Sequence, residues 1–351
     1  MKRDWFIWTL RVVVLSFWIA IPGYSQLKDT GERFRVMSYN VENFLDYRQD
    51  SLVPSSSGLT GWSAIRYFQK RNNIAKVIVA VGGWEPPALV ALCEVQNRRI
   101  LDDLTLHSAL WRLHYKISHF ESSDPRGIDV ALLYQPKRFH PYLEKPIRIR
   151  FADNVHRRTR DILYVAGTLR NGDTLHVFVN HFPSRLGGEL ESEDSRLEVA
   201  GILRRQVDSI FCINSQSNII IMGDFNDYPD NKSVSGVLGA LPDDAPVKEK
   251  MLYNLCYSTH KSGKIGSYKH ASQWGMLDQI IVSAHLLDRK APVAVCDTPA
   301  RVFDAPFLLE DDVKGFGKQP FRTYLGPKYR GGFSDHLPVY LDIVFRKKSD
   351  F

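Results

Sequence analysis

A series of short β-rich runs, separated by amphipathic stretches, dominates this sequence and limits the folds open to it. Several runs are continuously apolar, as at 130–133 and 219–222, which is typical of strands buried on both faces of a sheet. Others alternate apolar and polar side chains, as at 175–179, and fit half-buried strands. The runs that we predict as strands are 34–39, 88–93, 114–120, 128–134, 163–169, 175–180, 218–222, 276–282 and 337–345.

Two stretches between these runs have the spacing of amphipathic helices. Residues 65–81 have an expected buried face made of six apolar side chains: Ile65, Phe68, Ile74, Val77, Ile78 and Val81. Residues 195–211 show a clearer apolar face, and the spacing predicts a capping box that opens this helix at Ser195. Helices that interleave with strands favour an α/β or α+β protein with layered sheets.

The first 25 residues indicate a secretory signal rather than part of the fold. Basic residues precede an apolar run at 12–21, and small residues follow it, so we expect cleavage after Ser25. The stretch 5–21 contains an arginine and is shorter than the roughly 20 residues of a membrane span. We therefore predict export to the periplasm or the extracellular space, with no stable membrane span after cleavage.

The composition of the chain and the absence of linkers limit the class of protein and the number of domains. Apolar residues make up 44% and charged residues 24%, which excludes a disordered chain, a collagen-like fibre and a polytopic membrane protein. No Pro- or Ser-rich linker divides residues 26–351, which predicts a single domain. The net charge of +7 is spread along the chain and does not by itself demand a nucleic-acid partner. Two long loops, 44–64 and 284–333, are either functional lids or surface excursions.

Polar side chains stand at the ends of many of the apolar runs. A carboxylate in such a place is costly unless it is paired, hydrogen-bonded or bound to a metal. Because strand ends on one edge of layered sheets converge on a shared cleft, we expect these side chains to meet there. They are Asn40, Glu42, Glu94, His181, Asp224, Asn226, Asp278, Asp335 and His336.

The chemistry of this set is dominated by oxygen donors. Carboxylates and amides suit Mg²⁺, Mn²⁺ or Ca²⁺ better than zinc. The sequence contains no Gly-x-Ser-x-Gly elbow, Walker loop or dinucleotide glycine fingerprint. Metal-assisted attack of water on a phosphate ester therefore fits the set best.

The motifs occur in one order along residues 38–336: Asn-Val-Glu-Asn at 40–43, Glu94, Asn-His at 180–181, Gly-Asp-Phe-Asn at 223–226, Leu-Asp at 277–278 and Ser-Asp-His at 334–336. This ordered set resembles that of the endonuclease/exonuclease/phosphatase superfamily, which has the deoxyribonuclease-I-like fold. The resemblance implies a four-layer sandwich, with two packed mixed β-sheets flanked by helices. It also implies a secreted, bacterial-type hydrolase of phosphate esters.

The resemblance implies a site for a divalent cation, usually Mg²⁺, with Mn²⁺ or Ca²⁺ as alternatives. Glu94 resembles the principal metal ligand. Glu42 and Asp335 would contribute to this metal site or flank it. Asn40 resembles the amide that orients the cluster.

The same resemblance implies the groups that move protons. Asp224 would align or deprotonate the attacking water, and Asn226 would hold that water or a phosphate oxygen. His336 would donate to a non-bridging oxygen, positioned by Asp278. His181 resembles a second histidine that contacts the phosphate or helps to protonate the leaving oxygen. Whether an aspartate or a histidine is the general base stays open.

Three further residues are candidates for contact with the substrate. Arg126 and Arg185 can bind a phosphate with two hydrogen bonds each, and solvated surface arginine is the alternative. Asp129 either pairs with His181 as a second carboxylate–imidazole pair or is a strand-edge aspartate.

The sequence leaves three functions open. The first is a secreted nuclease or phosphodiesterase acting on nucleic acid. The second is a phosphatase or sphingomyelinase-like esterase acting on a small or lipid phosphate. The third is a catalytically inactive binding module on the same fold, which would be expected to lack a metal ligand or a histidine. The sequence identifies no protein partner.

Overall fold

Strands and helices alternate along the chain, as the sequence predicts. The computed structural model describes residues 32–48, 61–152, 154, 156–185, 187–296 and 299–345. Its strands are β1 (Glu32–Phe44), β2 (Leu89–Val95), β3 (Lys116–His119), β4 (Asp129–Tyr134), β5 (Phe139–Ile147), β6 (Ile162–Leu169), β7 (Thr174–His181), β8 (Asn218–Asp224), β9 (Ala240–Pro242), β10 (Leu252–Asn254), β11 (Tyr268–His270), β12 (Gln273–Gly275), β13 (Asp278–Ser283), β14 (Val293–Val295), β15 (Arg301–Val302), β16 (Leu309–Asp311), β17 (Lys318–Pro320), β18 (Tyr324–Leu325), β19 (Lys328–Tyr329) and β20 (Val339–Phe345). Its α-helices are α1 (Ala64–Gly82), α2 (Arg98–Leu106), α3 (Glu189–Ile213) and α4 (Tyr257–Ser262).

Two mixed sheets of seven strands pack face to face through a continuous apolar core. The first has the order β14–β20–β1–β2–β4–β3, with β15 paired to β20, and the second has the order β5–β6–β7–β8–β13–β10–β9. Helices α1 and α2 cover the outer face of the first sheet, and α3 covers that of the second. The predicted α/β four-layer sandwich is therefore confirmed.

The described residues between 32 and 345 form one compact unit, and none of the described helices is both long enough and apolar enough to span a bilayer. The predicted signal peptide, 1–25, lies outside the described residues and stays a prediction, and so does most of the loop 44–64. The other predicted loop, 284–333, is not a bare excursion. It contains the short strands β14 to β19 and reaches the cleft described below.

Each predicted strand corresponds to a described one. Among the described strands longer than three residues, β5 alone is absent from the prediction. This strand contains Pro141 and Pro146, which cannot donate to a ladder and interrupt any strand-like pattern in the sequence. It lies at the edge of the second sheet, where a proline is tolerated.

The buried face of α1 is as predicted at Ile74, Val77, Ile78 and Val81, but it differs from the prediction at the start of the helix. Ile65 is 81% exposed and Phe68 is partly exposed, whereas Tyr67 and Lys70 are buried. Apolar spacing alone misplaces the start of this face, because it assigns every lysine to the solvent-exposed side of a helix. Here the Lys70 ammonium group has hydrogen-bond partners inside the protein.

Helix α3 begins at Glu189, not at Ser195, so the predicted capping box is wrong. The Ser195 hydroxyl accepts a hydrogen bond from Arg157 at 2.7 Å, and Glu198 accepts one from the backbone of Ala152 at 2.7 Å. Both side chains hold a neighbouring loop rather than a helix end. Acidic residues in the first turn favour the earlier start, because they complement the positive end of the helix dipole.

The strand directions bring the polar strand ends to one edge of the sandwich. Strands β1 and β2 run parallel in the first sheet, and β7 and β8 run parallel in the second. Strand β13 is antiparallel to β8 and begins with Asp278 opposite Asp224, while His181 is also in register with Asp224. The carboxyl ends of four strands and the start of a fifth therefore face a common cleft.

Gly223 allows β7 and β8 to approach closely beside Asp224. Its φ is +139°, and a Cβ would overlap the carbonyl oxygen of Asn180. We expect Gly223→Ala to lower the free energy of unfolding by about 1–3 kcal/mol, measured by urea denaturation.

The matched control is Gly236→Ala, in the exposed helical turn Lys232–Val237. The added methyl group meets only the Lys232 side chain there, so we expect a neutral or slightly stabilising effect. Equal destabilisation in the two variants would contradict the argument.

Candidate active site

Asp224 lies at the centre of a buried polar cluster on the edge where strands of both sheets end. Its carboxylate accepts hydrogen bonds from Asn40 Nδ2 at 3.0 Å and from the backbone N–H of Asn226 at 2.8 Å. The Nε2 atoms of His181 and His336 lie 3.6 Å and 3.9 Å from the same carboxylate. The structure thus brings five of the predicted site residues together.

Asn40 connects the two sheets at this cluster. Its Nδ2 donates to Asp224 of the second sheet and, at 3.3 Å, to Oε1 of Glu94 in the first sheet. The other oxygen of Glu94 accepts a hydrogen bond from the backbone of Asn43 at 2.8 Å. Because the Glu94 side chain is 15% exposed, this carboxylate is held in place and still accessible.

The backbone around the cluster adopts conformations that are unusual for residues with side chains. Glu42, Asn43, Glu94 and Asn226 all have φ values between +49° and +65°. Such conformations cost about 1–3 kcal/mol each and are kept where the surrounding structure enforces them. Their concentration here is typical of a functional site.

The two histidines that face Asp224 have opposite preferences for a proton. Burial by itself lowers the pKa of His336, but the Asp278 carboxylate, 2.6 Å from Nδ1, and the charge of Asp224 raise that pKa well above its usual range. Burial and the positive charge of Arg160 lower the pKa of His181 well below its usual range. At neutral pH His336 therefore carries a proton and His181 does not.

Glu42 anchors the segment that precedes β20. Its carboxylate accepts hydrogen bonds from the backbone N–H groups of Thr323 at 2.6 Å and Tyr324 at 3.4 Å. Arg322 Nε lies 3.5 Å from Glu42 Oε1, and Arg322 Nη2 donates to Asp335 at 2.8 Å. Arg322 therefore links two of the carboxylates that were expected near a metal.

Glu94, Glu42 and Asp335 do not form a ready-made metal site. Within the described ranges, no three His, Cys, Asp or Glu side chains are grouped closely enough to hold an ion. The Glu42 carboxylate is already occupied by hydrogen bonds from backbone amides, and the Asp335 carboxylate is already paired with Arg322. The Glu42 carboxylate therefore anchors the backbone at Thr323 and Tyr324 and is not free to bind a metal ion.

Lys70 is a buried cation beside this anchor and belongs to none of the sequence motifs. Its Nζ lies 3.9 Å from Glu42 Oε2 and donates to the carbonyl oxygen of Phe333 at 2.6 Å and to the Thr323 hydroxyl. Burial lowers the pKa of Lys70 to about 8. Helix α1 is thereby fastened to the segment that carries Asp335.

Lys70→Met is expected to lower the free energy of unfolding by about 2–3 kcal/mol. Glu42 loses its buried cation, and two buried acceptors lose their donor. Chemical denaturation measures the effect. Lys76→Met, at an exposed position of the same helix, serves as the control and should cost under about 1 kcal/mol, since Lys76 only packs over aromatic rings. A Lys70 variant as stable as this control would refute the anchoring role.

Asp129 does not pair with His181. Its Oδ2 lies 3.4 Å from His119 Nε2, and its Oδ1 accepts a hydrogen bond from the backbone of Ser122 at 2.8 Å. The second carboxylate–imidazole pair is therefore not formed, because β3 places a different histidine beside this strand-edge aspartate.

The two candidate arginines have different settings. Arg185, in the loop between β7 and α3, packs against the loop after β8, where it donates to the Asn226 carbonyl at 2.7 Å and to Asp227 at 3.0 Å. Arg126 lies in a cleft of about 300 Å³ that also includes Gln96, close to the end of β2, and its Nε is 3.5 Å from Asp124. Arg185 thus supports the Asn226 loop, whereas Arg126 borders open space next to the cluster.

A model of the endonuclease/exonuclease/phosphatase family matches residues 35–345, which contain the whole cluster. The chain belongs to the endonuclease/exonuclease/phosphatase family. The chemistry of this family, hydrolysis of phosphate esters, is therefore assigned to the chain at that general level. No curated protein matches the sequence.

Solved structures share the fold at low sequence identity. The human Nocturnin catalytic domain with a bound sulfate anion is 19% identical, with a TM-score of 0.57 over 90% of this chain and 95% of that one. A family protein from Bacteroides thetaiotaomicron is 16% identical, with a TM-score of 0.55 over 90% and 99%. D. rerio TDP2 complexed with a single-strand DNA product is 15% identical, with a TM-score of 0.53 over 89% and 98%.

In this family member, the hairpin β11–β12 forms one wall beside His336. The ring of Tyr268 lies 4.9 Å from that of His336 between centroids, and the two residues also form a backbone bridge. Lys269 Nζ lies 2.9 Å from Asp312, which ties the hairpin to the segment between β16 and β17. Part of the long stretch 284–333 therefore supports the cleft.

Sequence reasoning missed three residues that shape the site: Lys70, Tyr268 and Arg160. Lys70 leaves a signal, because it stands at a position of α1 from which the apolar residues Ile74 and Val77 follow at helical spacing. Tyr268 and Arg160 lie in irregular or short segments with no periodicity, so neither leaves a comparable signal.

Proposed function

We propose that this family member is a divalent-metal-dependent phosphodiesterase that acts as a nuclease. The observation that carries the proposal is the buried Asp224 carboxylate, which faces the Nε2 atoms of both His336 and His181 and is linked through Asn40 to Glu94. Attack of water on phosphorus needs an acceptor for the water proton and a donor for the charge that grows on the phosphate. The cluster supplies both within one hydrogen-bonded network.

The donor set fits a hard divalent cation such as Mg²⁺. This ion takes one or two protein carboxylates and keeps several waters, so it does not need a cage of three acidic side chains. Glu94 would hold the cation, because its carboxylate is fixed by Asn40 and Asn43 and remains accessible; Asp335, 20% exposed, would flank it. When bound, the ion would polarise a phosphoryl oxygen and lower the pKa of a water.

The side chains of the cluster then have separate tasks. His336 donates from Nε2 to a non-bridging phosphate oxygen, while Asp278 on Nδ1 fixes the ring and its charge. Asp224 orients the attacking water and accepts its proton, held by Asn40 and the backbone of Asn226. His181, neutral at the same carboxylate, contacts the oxygen of the leaving group.

A substrate panel tests this proposal. The full chain is assayed on bis-p-nitrophenyl phosphate, p-nitrophenyl phosphate, sphingomyelin, single-stranded DNA and RNA, each with Mg²⁺, Mn²⁺ or EDTA. We expect metal-dependent cleavage of the diester and of polynucleotide, abolished by EDTA. Turnover confined to the monoester or to sphingomyelin selects the esterase alternative. Absence of turnover on every substrate with either metal overturns the proposal and leaves the inactive binding module.

A further inference from the structure

A second feature of the surface is a cleft lined by arginines, at the loop between β5 and β6. The cavity has a volume of about 530 Å³, and we call it the arginine cleft. Arg148, Arg150, Arg157 and Arg158 line it, together with Ser123, Ile149 and Asp161.

The charge of this loop is strongly unbalanced. Residues 148–161 contain five arginines and two aspartates. Asp161, the carboxylate that lines the cleft, is paired with Arg148. Arg150 and Arg158 are exposed and have no carboxylate partner in the described part of the chain. Two guanidinium groups are thus left for an anion from solution.

Described residues that line the cleft are held by contacts with other parts of the fold. Arg157 donates to Ser195 of α3 at 2.7 Å, and its guanidinium lies over the Phe151 ring at 5.1 Å. Ile149 is buried, so no exposed apolar side chain lines the cavity. A cleft with four guanidinium groups and no exposed apolar side chain suits a string of phosphates better than a lipid surface, which would need apolar groups to insert.

The same loop is joined to the catalytic cluster. Buried Arg160 donates to the carbonyl oxygens of His181 at 3.3 Å and Phe182 at 2.6 Å, directly after β7. It also donates to Asp124 at 2.9 Å, in the loop that carries Arg126. The arginine cleft and Arg126 are therefore anchored to the strand end that presents His181 to Asp224.

We propose that the arginine cleft binds backbone phosphates of a polynucleotide strand whose scissile phosphate lies at Asp224. This inference rests on the proposed function and adds a binding site for the polynucleotide substrate. Planar guanidinium groups bind phosphate oxygens in pairs, and each phosphate contact releases a counterion from the strand. Arg150 and Arg158 increase affinity for the polymer and leave the chemical step to the cluster.

The test compares Arg150→Ala/Arg158→Ala with the wild-type full chain on single-stranded DNA and on bis-p-nitrophenyl phosphate. We expect kcat/KM on DNA to fall by about 10- to 100-fold. We also expect the slope of log(kcat/KM) against log[salt] to flatten by about 1.4, because two phosphate contacts with the single strand are lost. Turnover of the small diester stays at the wild-type value.

The control variant Arg112→Ala/Arg205→Ala removes the same charge from exposed positions outside the cleft. It should leave DNA cleavage within about twofold of wild type, since distant exposed charges are largely screened. Equal losses in the two double variants, or an unchanged salt slope in Arg150→Ala/Arg158→Ala, overturn the inference. So does a loss confined to binding of phosphatidylserine vesicles, which would assign the cleft to a membrane.

Failure of the inference can be told apart from failure of the proposed function. A wild-type chain that cleaves single-stranded DNA, with no larger loss in Arg150→Ala/Arg158→Ala than in the control variant, rejects the cleft and keeps the proposed nuclease. A wild-type chain that hydrolyses bis-p-nitrophenyl phosphate but no polynucleotide rejects both the cleft and the nuclease and keeps only a phosphodiesterase. A wild-type chain that hydrolyses neither substrate with Mg²⁺ or Mn²⁺ rejects both.

Discussion

Asp224→Asn is expected to lower kcat on a phosphodiester by about 10²- to 10⁴-fold, the range for a lost acid–base group. The asparagine keeps the volume of the side chain and one oxygen for the Asn226 N–H, but it cannot accept the proton of the attacking water. It also removes the negative charge that faces both His181 and His336. Steady-state kinetics with Mg²⁺, at substrate concentrations above KM, measure the effect.

The matched control for this variant is Asp230→Asn. Asp230 lies on the same loop after β8, but its carboxylate pairs with His260 and Lys261 near the surface. We expect wild-type turnover for it. If Asp224→Asn folds normally by circular dichroism and keeps more than about a tenth of wild-type kcat, the acceptor role is wrong.

His336→Gln is expected to lower kcat by about 10²- to 10³-fold, the scale for removing one donor to developing charge. The glutamine retains a polar group but loses the positive charge that Asp278 maintains on the imidazole. Because this charge stabilises the phosphate mainly as negative charge grows, kcat should fall more than KM rises. Asp278→Asn should give a smaller loss, since the ring stays and only its partner is weakened.

His176→Gln provides the control for the histidine variant. This half-buried histidine lies within β7, where its Nδ1 is 2.8 Å from the Tyr164 hydroxyl, and it is not part of the cluster. Its turnover should match that of the wild type. If His336→Gln raises KM while kcat is unchanged, His336 serves ground-state binding and not the transition state.

The sequence could predict that the site residues lie close together, because it could predict the strands that carry them. A continuous apolar run such as 219–222 predicts a central strand, and Asp224 follows this run after Gly223. Once parallel strands lie side by side, their carboxyl ends share an edge, which brings His181 to Asp224. The pairing of His336 with Asp278 follows the same logic, since Asp278 opens the strand beside β8.

The contacts of the site that the sequence could not predict are made by loops or by residues that do not follow a helix or strand pattern. The partner of Asp129 is His119 because of how β3 pairs with β4, and nothing local in the sequence distinguishes His119 from His181. The anchoring of Glu42 depends on the backbone of Thr323, which is far away in the chain. Such contacts are decided by tertiary packing, so residue types and spacing cannot reveal them.

The two prolines that hide β5 from sequence reasoning also protect the folded protein from aggregation. β5 is the outer strand of its sheet and carries the exposed apolar residues Tyr142 and Leu143. An open edge of this kind would otherwise offer backbone donors to a strand from another molecule. Pro141 and Pro146 have no N–H, and Glu144 and Lys145 add exposed charges between them. The sheet therefore ends at β5 in a form that a second chain cannot readily extend.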